Sequence, residues 1–110
     1  MTKEDIRKLY HKFSAAFASE PVDEVMNRCR KIIKKYYACF PLLLQMGILM
    51  INHVELLKDP QKSASLIEEA RALFIRVKEE SDDVSLIRQA LYIAARVYFG
   101  IRIPNGGTHR

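Results

Sequence analysis

Tryptophan is absent from this sequence of 110 residues, and cysteine, histidine, glycine and proline are scarce, with two, three, four and four copies. The few glycines form no phosphate-binding loop, and the cysteines and histidines show no zinc-ligand spacing. A Gly-x-Ser-x-Gly nucleophile elbow is also missing. The acidic pairs at 68–69, 79–80 and 82–83 are sequence neighbours that do not converge on a substrate. These absences predict a protein that is not an enzyme and uses no metal or cofactor.

Long hydrophobic runs are lacking too. The longest, from Pro41 to Ile51, has 11 residues, whereas a helix that crosses a bilayer needs about 20. No secretory signal peptide is recognisable in the sequence. We therefore expect a cytoplasmic protein that makes no contact with a membrane.

The two cysteines, Cys29 and Cys39, both fall on the second predicted helix. Ten residues along a helix correspond to a rise of about 15 Å, which is too far for a disulfide. We therefore expect two reduced thiols. Arg28 and Arg30 flank Cys29 and would lower its pKa, but Cys29 lies on an apolar stripe, which favours a buried and inert thiol.

The overall composition, with 49% apolar and 28% charged residues, is typical of one folded domain. We expect this domain to cover residues 1–103 and to be followed by a flexible tail at 104–110. The net charge is +5, and residues 1–40 hold nine Lys and Arg residues against five acidic ones. A charge of this size favours weak affinity for polyanions but does not predict nucleic-acid binding.

Five segments of helical length begin at prolines or at capping residues, near Thr2, Pro21, Pro41, Pro60 and Asp82. Proline fits the first turn of a helix, and Thr or Asp side chains accept hydrogen bonds from its free N–H groups. The starts are 19, 20, 19 and 22 residues apart. This spacing predicts an all-α fold of about five antiparallel helices, stacked as helical hairpins with a period of about 40 residues.

Segment three differs from its neighbours, which each carry one apolar stripe of helical period. Its apolar side chains cover almost the whole circumference between Leu42 and Leu57, so it must be covered on several sides. Gly47 in its interior favours close packing against another helix. His53 has no metal-ligand partner one turn further on, which favours a hydrogen-bonded structural role. We expect segment three to be the central, most buried helix.

Segment five is the last predicted helix. Its apolar face is predicted to comprise Ile87, Ala90, Leu91, Ala94, Ala95 and Tyr98. Tyr92, Val97 and Phe99 lie outside that face, and exposed apolar patches often mark an interface. We therefore expect a homodimer, or a contact with a different protein, through an interface that includes Tyr92, Val97 and Phe99.

Small and aromatic residues alternate in two segments in a recognisable way. Residues 90–98 (ALYIAARVY) place small side chains at Ala94 and Ala95 and an aromatic at Tyr98. Residues 70–77 (ARALFIRV) and the surroundings of Gly47 show related patterns. Over residues 41–100 this resembles the tetratricopeptide repeat family, although the period is about 40 rather than about 34 residues and the closing proline is missing. The resemblance implies a right-handed α-superhelix that binds proteins or peptides, as in the sensing part of a bacterial regulator.

Two surfaces are candidate binding sites for such a protein or peptide partner. The groove between the first helices of successive hairpins would present Tyr10, Asn52, Tyr92 and Arg96. The polar face of segment two would present Lys31, Lys34 and Lys35 to an acidic partner or to nucleic acid, although a solvated helix face also explains these lysines.

A second resemblance carries a different function. Residues 9–13 (LYHKF) and 98–100 (YFG) are similar to parts of the effector-binding half of tetracycline-repressor-type regulators. Segment one is too short to supply the helix-turn-helix of those regulators, so the chain would have to be a fragment. The resemblance implies a small-molecule sensor with an apolar cavity near Met46, Met50 and Phe74, whereas a tightly packed core favours the interaction module.

Overall fold

Side-chain caps fix the starts of three of the five helices in the computed structural model, which describes residues 1–98. Thr2 Oγ1 accepts a hydrogen bond from the Asp5 N–H at 3.0 Å, and Asp5 Oδ2 accepts one from the Thr2 N–H at 3.1 Å. Asp59 Oδ1 accepts a hydrogen bond from the Gln61 N–H at 2.9 Å. Asp83 caps the last helix in the same way. These bonds satisfy N–H groups that the first turn of a helix leaves unpaired.

The helices are α1 (Lys3–Ser19), α2 (Val22–Lys35), α3 (Phe40–His53), α4 (Pro60–Glu80) and α5 (Val84–Tyr98). A 3₁₀ turn at Val54–Leu56 follows α3 directly. Residues 1–98 contain no β-strand. The predictions of an all-α fold and of the five helix starts are therefore confirmed.

The prediction for the end of the second helix is wrong. The apolar stripe predicts a helix that continues to Phe40 and includes Cys39, but α2 ends at Lys35. A helix that continued through Pro41 would lose one N–H donor, and the proline ring would clash with the carbonyl of Tyr37, four residues earlier. Cys39 is instead the N-cap residue of α3, so the two free cysteines lie on different elements.

The central position of α3 is confirmed, because it packs against α1, α2, α4 and α5. Its fully buried side chains are Leu42, Leu43, Leu44, Met46, Leu49 and Met50. Burying one such side chain contributes roughly 1.5–3 kcal/mol to the free energy of unfolding. The burial of the α3 side chains is therefore the largest single source of hydrophobic stabilisation in the fold.

α3 and α4 are in tight contact at Gly47. A Cβ atom placed on Gly47 would lie 2.6 Å from Cε1 of Phe74, which is shorter than a van der Waals contact allows. Phe74 is itself only 1% exposed, so its ring has little room to move aside. A glycine in a helix interior normally lowers stability relative to alanine. Here the packing of the Phe74 ring requires one.

Four residue pairs that join helices through polar contacts are each separated by 39 positions in the sequence. They are Ser14 with His53, Asp23 with Lys62, Arg30 with Glu69, and Tyr37 with Arg76. The first pair joins α1 to α3, the second and third join α2 to α4, and Tyr37 of the fourth pair lies in the turn after α2. Because the second and third pairs advance together along both helices, α2 and α4 run parallel and in matching register.

The helices form two layers. α3 lies between α1 and α5, and the N-terminal parts of these three helices line one common groove. We name α1, α3 and α5 the first layer. α2 and α4, which are joined by the Arg30–Glu69 and Asp23–Lys62 ion pairs, form the second layer.

The buried face of α5 also differs from the prediction. Ala90 and Ile93 are buried, and Val97 packs against the core. Leu91, which we expected inside, is 49% exposed, and Ala95 is exposed as well. Apolar residues occur on both sides of this helix, so periodicity alone does not select one side. Contact with α3 and α4 selects the side that carries Ile93.

Replacing Gly47 with alanine is expected to destabilise the fold. The added methyl group must displace the Phe74 ring. Overpacking of this kind costs about 1–3 kcal/mol, of which the better helix propensity of alanine returns up to about 1 kcal/mol. Denaturant unfolding of the wild type and of Gly47→Ala measures the difference.

The double variant Gly47→Ala/Phe74→Leu is the control for this mechanism. The smaller leucine leaves room for the methyl group, so the double variant should lose less stability than the sum of the two single losses. Strictly additive losses would show that the Phe74 ring is not the group that Gly47 accommodates.

Candidate functional site

A groove of about 540 Å³ lies in the first layer, at the N-terminal ends of α1, α3 and α5. We name it the first-layer groove. Its apolar lining consists of Ile6, Tyr10, Pro41, Leu44 and Leu86. Its polar lining consists of Lys3, Arg7, His11, Gln45 and Gln89. An apolar surface with a few polar groups at its edge is the usual composition of a binding groove.

The matching register of the first-layer helices brings these residues together. Ile6 on α1 and Gln45 on α3 are 39 positions apart in the sequence, the same separation that relates the hydrogen-bonded pair Ser14 and His53. Leu86 occupies the first turn of α5 and lines the same groove. Each helix therefore contributes residues from its N-terminal part.

One edge of the first-layer groove is basic. Lys3, Arg7 and His11 are exposed on α1. Arg7 is hydrogen-bonded to Glu4, one turn earlier, and this bond raises the pKa of the Arg7 guanidinium. Exposed pairs of this kind contribute little to stability, about 0–1 kcal/mol. Lys3 forms no ion pair within residues 1–98 and keeps its full positive charge for a ligand.

Tyr10 and Asn52, two residues predicted to bind a partner, are in contact. Asn52 Nδ2 donates a hydrogen bond to Tyr10 Oη at 3.3 Å. Tyr10 is only 7% exposed and belongs to the core, so it contributes to the groove only by the edge of its ring. Asn52 Oδ1 is buried and has no hydrogen-bond partner within residues 1–98. This pair positions α1 against α3, and it offers a ligand little surface.

Tyr92 and Arg96, the other two predicted groove residues, form a second pair on α5. Arg96 Nη1 donates a hydrogen bond to Tyr92 Oη at 2.9 Å, and the guanidinium carbon lies 5.4 Å from the centre of the Tyr92 ring. Tyr92 is 56% exposed. Neither residue lines the first-layer groove. The structure therefore separates the four predicted residues into two pairs instead of one site.

Sequence reasoning missed Lys3, Arg7, His11, Gln45 and Gln89 at the first-layer groove. The predicted spacing of the helices could have pointed to these residues. Since helices one repeat apart lie parallel, residues in the first turns of segments one, three and five meet at one end of the layer. The apolar patterns alone point only to the buried sides of those helices.

The lysines of the second candidate surface lie where the sequence predicts them. Lys31, Lys34 and Lys35 are exposed on α2. Lys34 also lines a groove of about 380 Å³ between α2 and α4, which we name the α2–α4 groove. The Lys35 ammonium lies 5.4 Å from the centre of the Tyr36 ring.

The structure describes two of the three residues that were predicted to form the dimer interface. Tyr92 is exposed, whereas Val97 is half-buried and packs against the core. Phe99 and the predicted tail at 104–110 lie outside the described residues. The exposed apolar side chains of α5 are instead Val84 and Leu91, together with Tyr92.

His53 has the structural role that the sequence predicts. Its Nδ1 donates a hydrogen bond to the Leu49 carbonyl oxygen at 2.8 Å, and its Nε2 lies 3.1 Å from Ser14 Oγ. The ring also stacks on Phe17, with 5.0 Å between the ring centres. Both nitrogens are therefore occupied. Within residues 1–98, no group of three His, Cys, Asp or Glu residues is placed to hold a metal ion.

Cys29 is buried, as expected. Burial raises the pKa of its thiol to about 12, although Arg28 and Arg30 act in the opposite direction. At neutral pH almost all of this thiol is therefore protonated, and a protonated thiol is a poor nucleophile. Cys29 is consequently a core residue and not a reactive group.

Comparisons with models of protein families, with curated proteins and with solved structures found no match to this chain. Among the described residues, no helix combines the length and the apolar character that a membrane span requires.

Thiol labelling at neutral pH is expected to distinguish the two cysteines. Cys39 is half-buried and should react with an aromatic disulfide reagent in the folded protein, whereas Cys29 should react only after denaturation. Absorbance of the released thiolate counts the reactive thiols. In Cys39→Ser the rapid phase should disappear, and a rapid phase that persists in this variant would contradict the burial of Cys29.

Proposed function

We propose that this protein is a non-enzymatic interaction module built from helical hairpins of the tetratricopeptide type, and that it binds a protein or peptide segment in the first-layer groove. The observation that carries the proposal is the 39-residue separation of three of the four polar contact pairs that join α1 to α3 and α2 to α4; the fourth, Tyr10 with Asn52, is separated by 42 residues. Such a repeat stacks equivalent helices side by side and leaves a continuous groove along one layer.

The composition of the groove supports a peptide ligand. Pro41, which is exposed, and Leu86, which is half-buried, offer an apolar surface for one or two side chains. Gln45 and Gln89 carry both donors and acceptors, which suit the N–H and C=O groups of a peptide backbone. Lys3 adds a positive charge at the edge. An extended segment or one turn of an amphipathic helix satisfies these features.

The tight core supports the interaction module over the sensor. The sensor hypothesis needs a cavity beside Met46, Met50 and Phe74. All three side chains are at most 1% exposed, and the Phe74 ring fills the space next to Gly47. We therefore do not propose a small-molecule sensor.

Selection from a displayed library of random peptides tests the proposed groove. We expect the wild type to enrich peptides that share a sequence pattern. The double variant Gln45→Arg/Gln89→Arg places two long cations in the groove, and it should bind the enriched peptides about tenfold or more weakly, since it blocks the apolar surface and removes the amides.

The matched control makes the same chemical change outside the groove. Gln61 is exposed in the first turn of α4, so Gln61→Arg should leave the affinity unchanged. An equal loss of peptide affinity in both variants would contradict the assignment of the groove as the binding site. A selection that enriches no shared sequence pattern would contradict it as well. Fluorescence anisotropy of labelled peptides measures the affinities.

We further propose that the protein forms a homodimer through the outer face of α5. Val84, Leu91 and Tyr92 are 61%, 49% and 56% exposed and leave a large apolar surface in water. Contiguous exposed apolar surface of this kind often marks an interface. Val97, which we expected in this interface, packs inward and is not part of the proposed contact.

Replacing Leu91 with glutamate is expected to convert the dimer into a monomer, because a carboxylate at the interface must be stripped of water without a partner. Sedimentation velocity measures the mass. Ile75→Glu is the matched control, because Ile75 on α4 is 47% exposed, close to the 49% of Leu91, and lies outside the proposed interface. A wild-type monomer at high concentration, or equal dissociation in both variants, would refute the α5 dimer.

A further inference from the structure

The second layer carries a cluster of lysines that form no ion pair with the described residues. Lys31, Lys34 and Lys35 are exposed on one side of α2, and none of them forms an ion pair within residues 1–98. The two nearby arginines are different. Arg30 is bound to both oxygens of Glu69, and Arg76 pairs with Glu80.

This cluster borders the α2–α4 groove. Ile33, Met50 and Leu73 provide the apolar part of its lining. Tyr37 stands at its edge and is 65% exposed, which makes it the most exposed aromatic side chain among residues 1–97. With a volume of about 380 Å³, the groove has room for one large apolar side chain of a ligand.

The electrostatic balance around the groove is strongly positive. Its lining holds three cations, Arg30, Lys34 and Arg76, against the carboxylate of Glu69, and Lys31 and Lys35 lie within one turn of Lys34 on α2. The last turn of α2 lowers this field slightly, because the C-terminal end of a helix is partly negative. The remaining charge still favours a negatively charged ligand.

We propose that the α2–α4 groove is a second binding site, and that its ligand is an acidic peptide segment with one large apolar residue. The apolar side chain lies in the groove beside Tyr37, and the flanking carboxylates contact Lys31, Lys34 and Lys35. The α2–α4 groove shares no lining residue with the first-layer groove, so this proposal does not rest on the peptide groove proposed above.

The chemistry of the groove favours a peptide over a nucleic acid. Single-stranded nucleic acids bind through several aromatic side chains on which successive bases stack, and here only Tyr37 is open for stacking. Arginine is the preferred partner for phosphate groups, but both arginines of this surface are held by carboxylates. Lysines beside a small apolar groove suit carboxylates and one apolar side chain.

The test uses a fluorescein-labelled peptide of alternating Glu and Asp residues with one central Phe, measured by fluorescence anisotropy with the full chain. We expect affinity that falls as salt increases, since exposed charges are screened. The triple variant Lys31→Gln/Lys34→Gln/Lys35→Gln should bind about tenfold or more weakly. Circular dichroism verifies that the variant remains helical.

A matched triple variant separates a site from general charge attraction. Lys8, Lys12 and Lys58 are exposed elsewhere on the molecule, and their replacement by glutamine removes the same charge. This control should change the affinity by no more than about twofold, because charges beyond one Debye length of the ligand are largely screened. An equal loss in both triple variants would overturn the proposed site.

Two further measurements test the nature of the ligand. Tyr37→Ser should weaken binding of the peptide with a central Phe more than binding of the same peptide with a central Gly, and equal effects would overturn the apolar contact. Oligothymidine with the same number of charges should bind more weakly than the peptide. If it binds as tightly and loses as much in the Lys31/Lys34/Lys35 variant, the site is a nucleic-acid site and the peptide assignment is wrong.

Discussion

The fold depends on the burial of α3 on all sides. A helix without a polar side has to be enclosed, and α3 is enclosed by the other four helices. At Gly47 the Phe74 ring of α4 takes the place of a side chain on α3, which brings the two layers close together. The exposed sides of the remaining helices then become the surface of the molecule. Both candidate grooves form at places where two or three of these helices meet beside α3.

The contacts that share a separation of 39 residues are not the contacts that hold the helices together. Arg30 with Glu69 and Asp23 with Lys62 are exposed ion pairs, and such pairs contribute about 0–1 kcal/mol each. Buried side chains of α3 such as Leu49 contribute more, roughly 1.5–3 kcal/mol each. The hydrophobic packing therefore sets the register of the parallel helices, and the polar pairs at a separation of 39 residues follow from that register.

Local chemistry allowed the helix starts and the central helix to be predicted, because caps such as Asp59 and the apolar circumference of α3 are properties of one segment. Errors arose where the answer depends on neighbouring helices. α5 has apolar residues on two sides, and only contact with α3 and α4 decides that Ile93 is buried and Leu91 exposed. The grooves were harder still, since Gln45 and Gln89 lie about 40 residues apart and meet only through the register of parallel helices.

The two grooves differ in chemistry because different side chains line them. The first-layer groove has apolar side chains of α3 such as Leu44 in its lining, with amides at its edge, which suits a peptide backbone. The α2–α4 groove has unpaired lysines such as Lys34 at its edge, which suit carboxylates. Perturbations at sites that share no residue usually add. A partner that engaged both proposed sites through one flexible chain would therefore gain affinity from each, with the second contact favoured by the high effective concentration that the first provides.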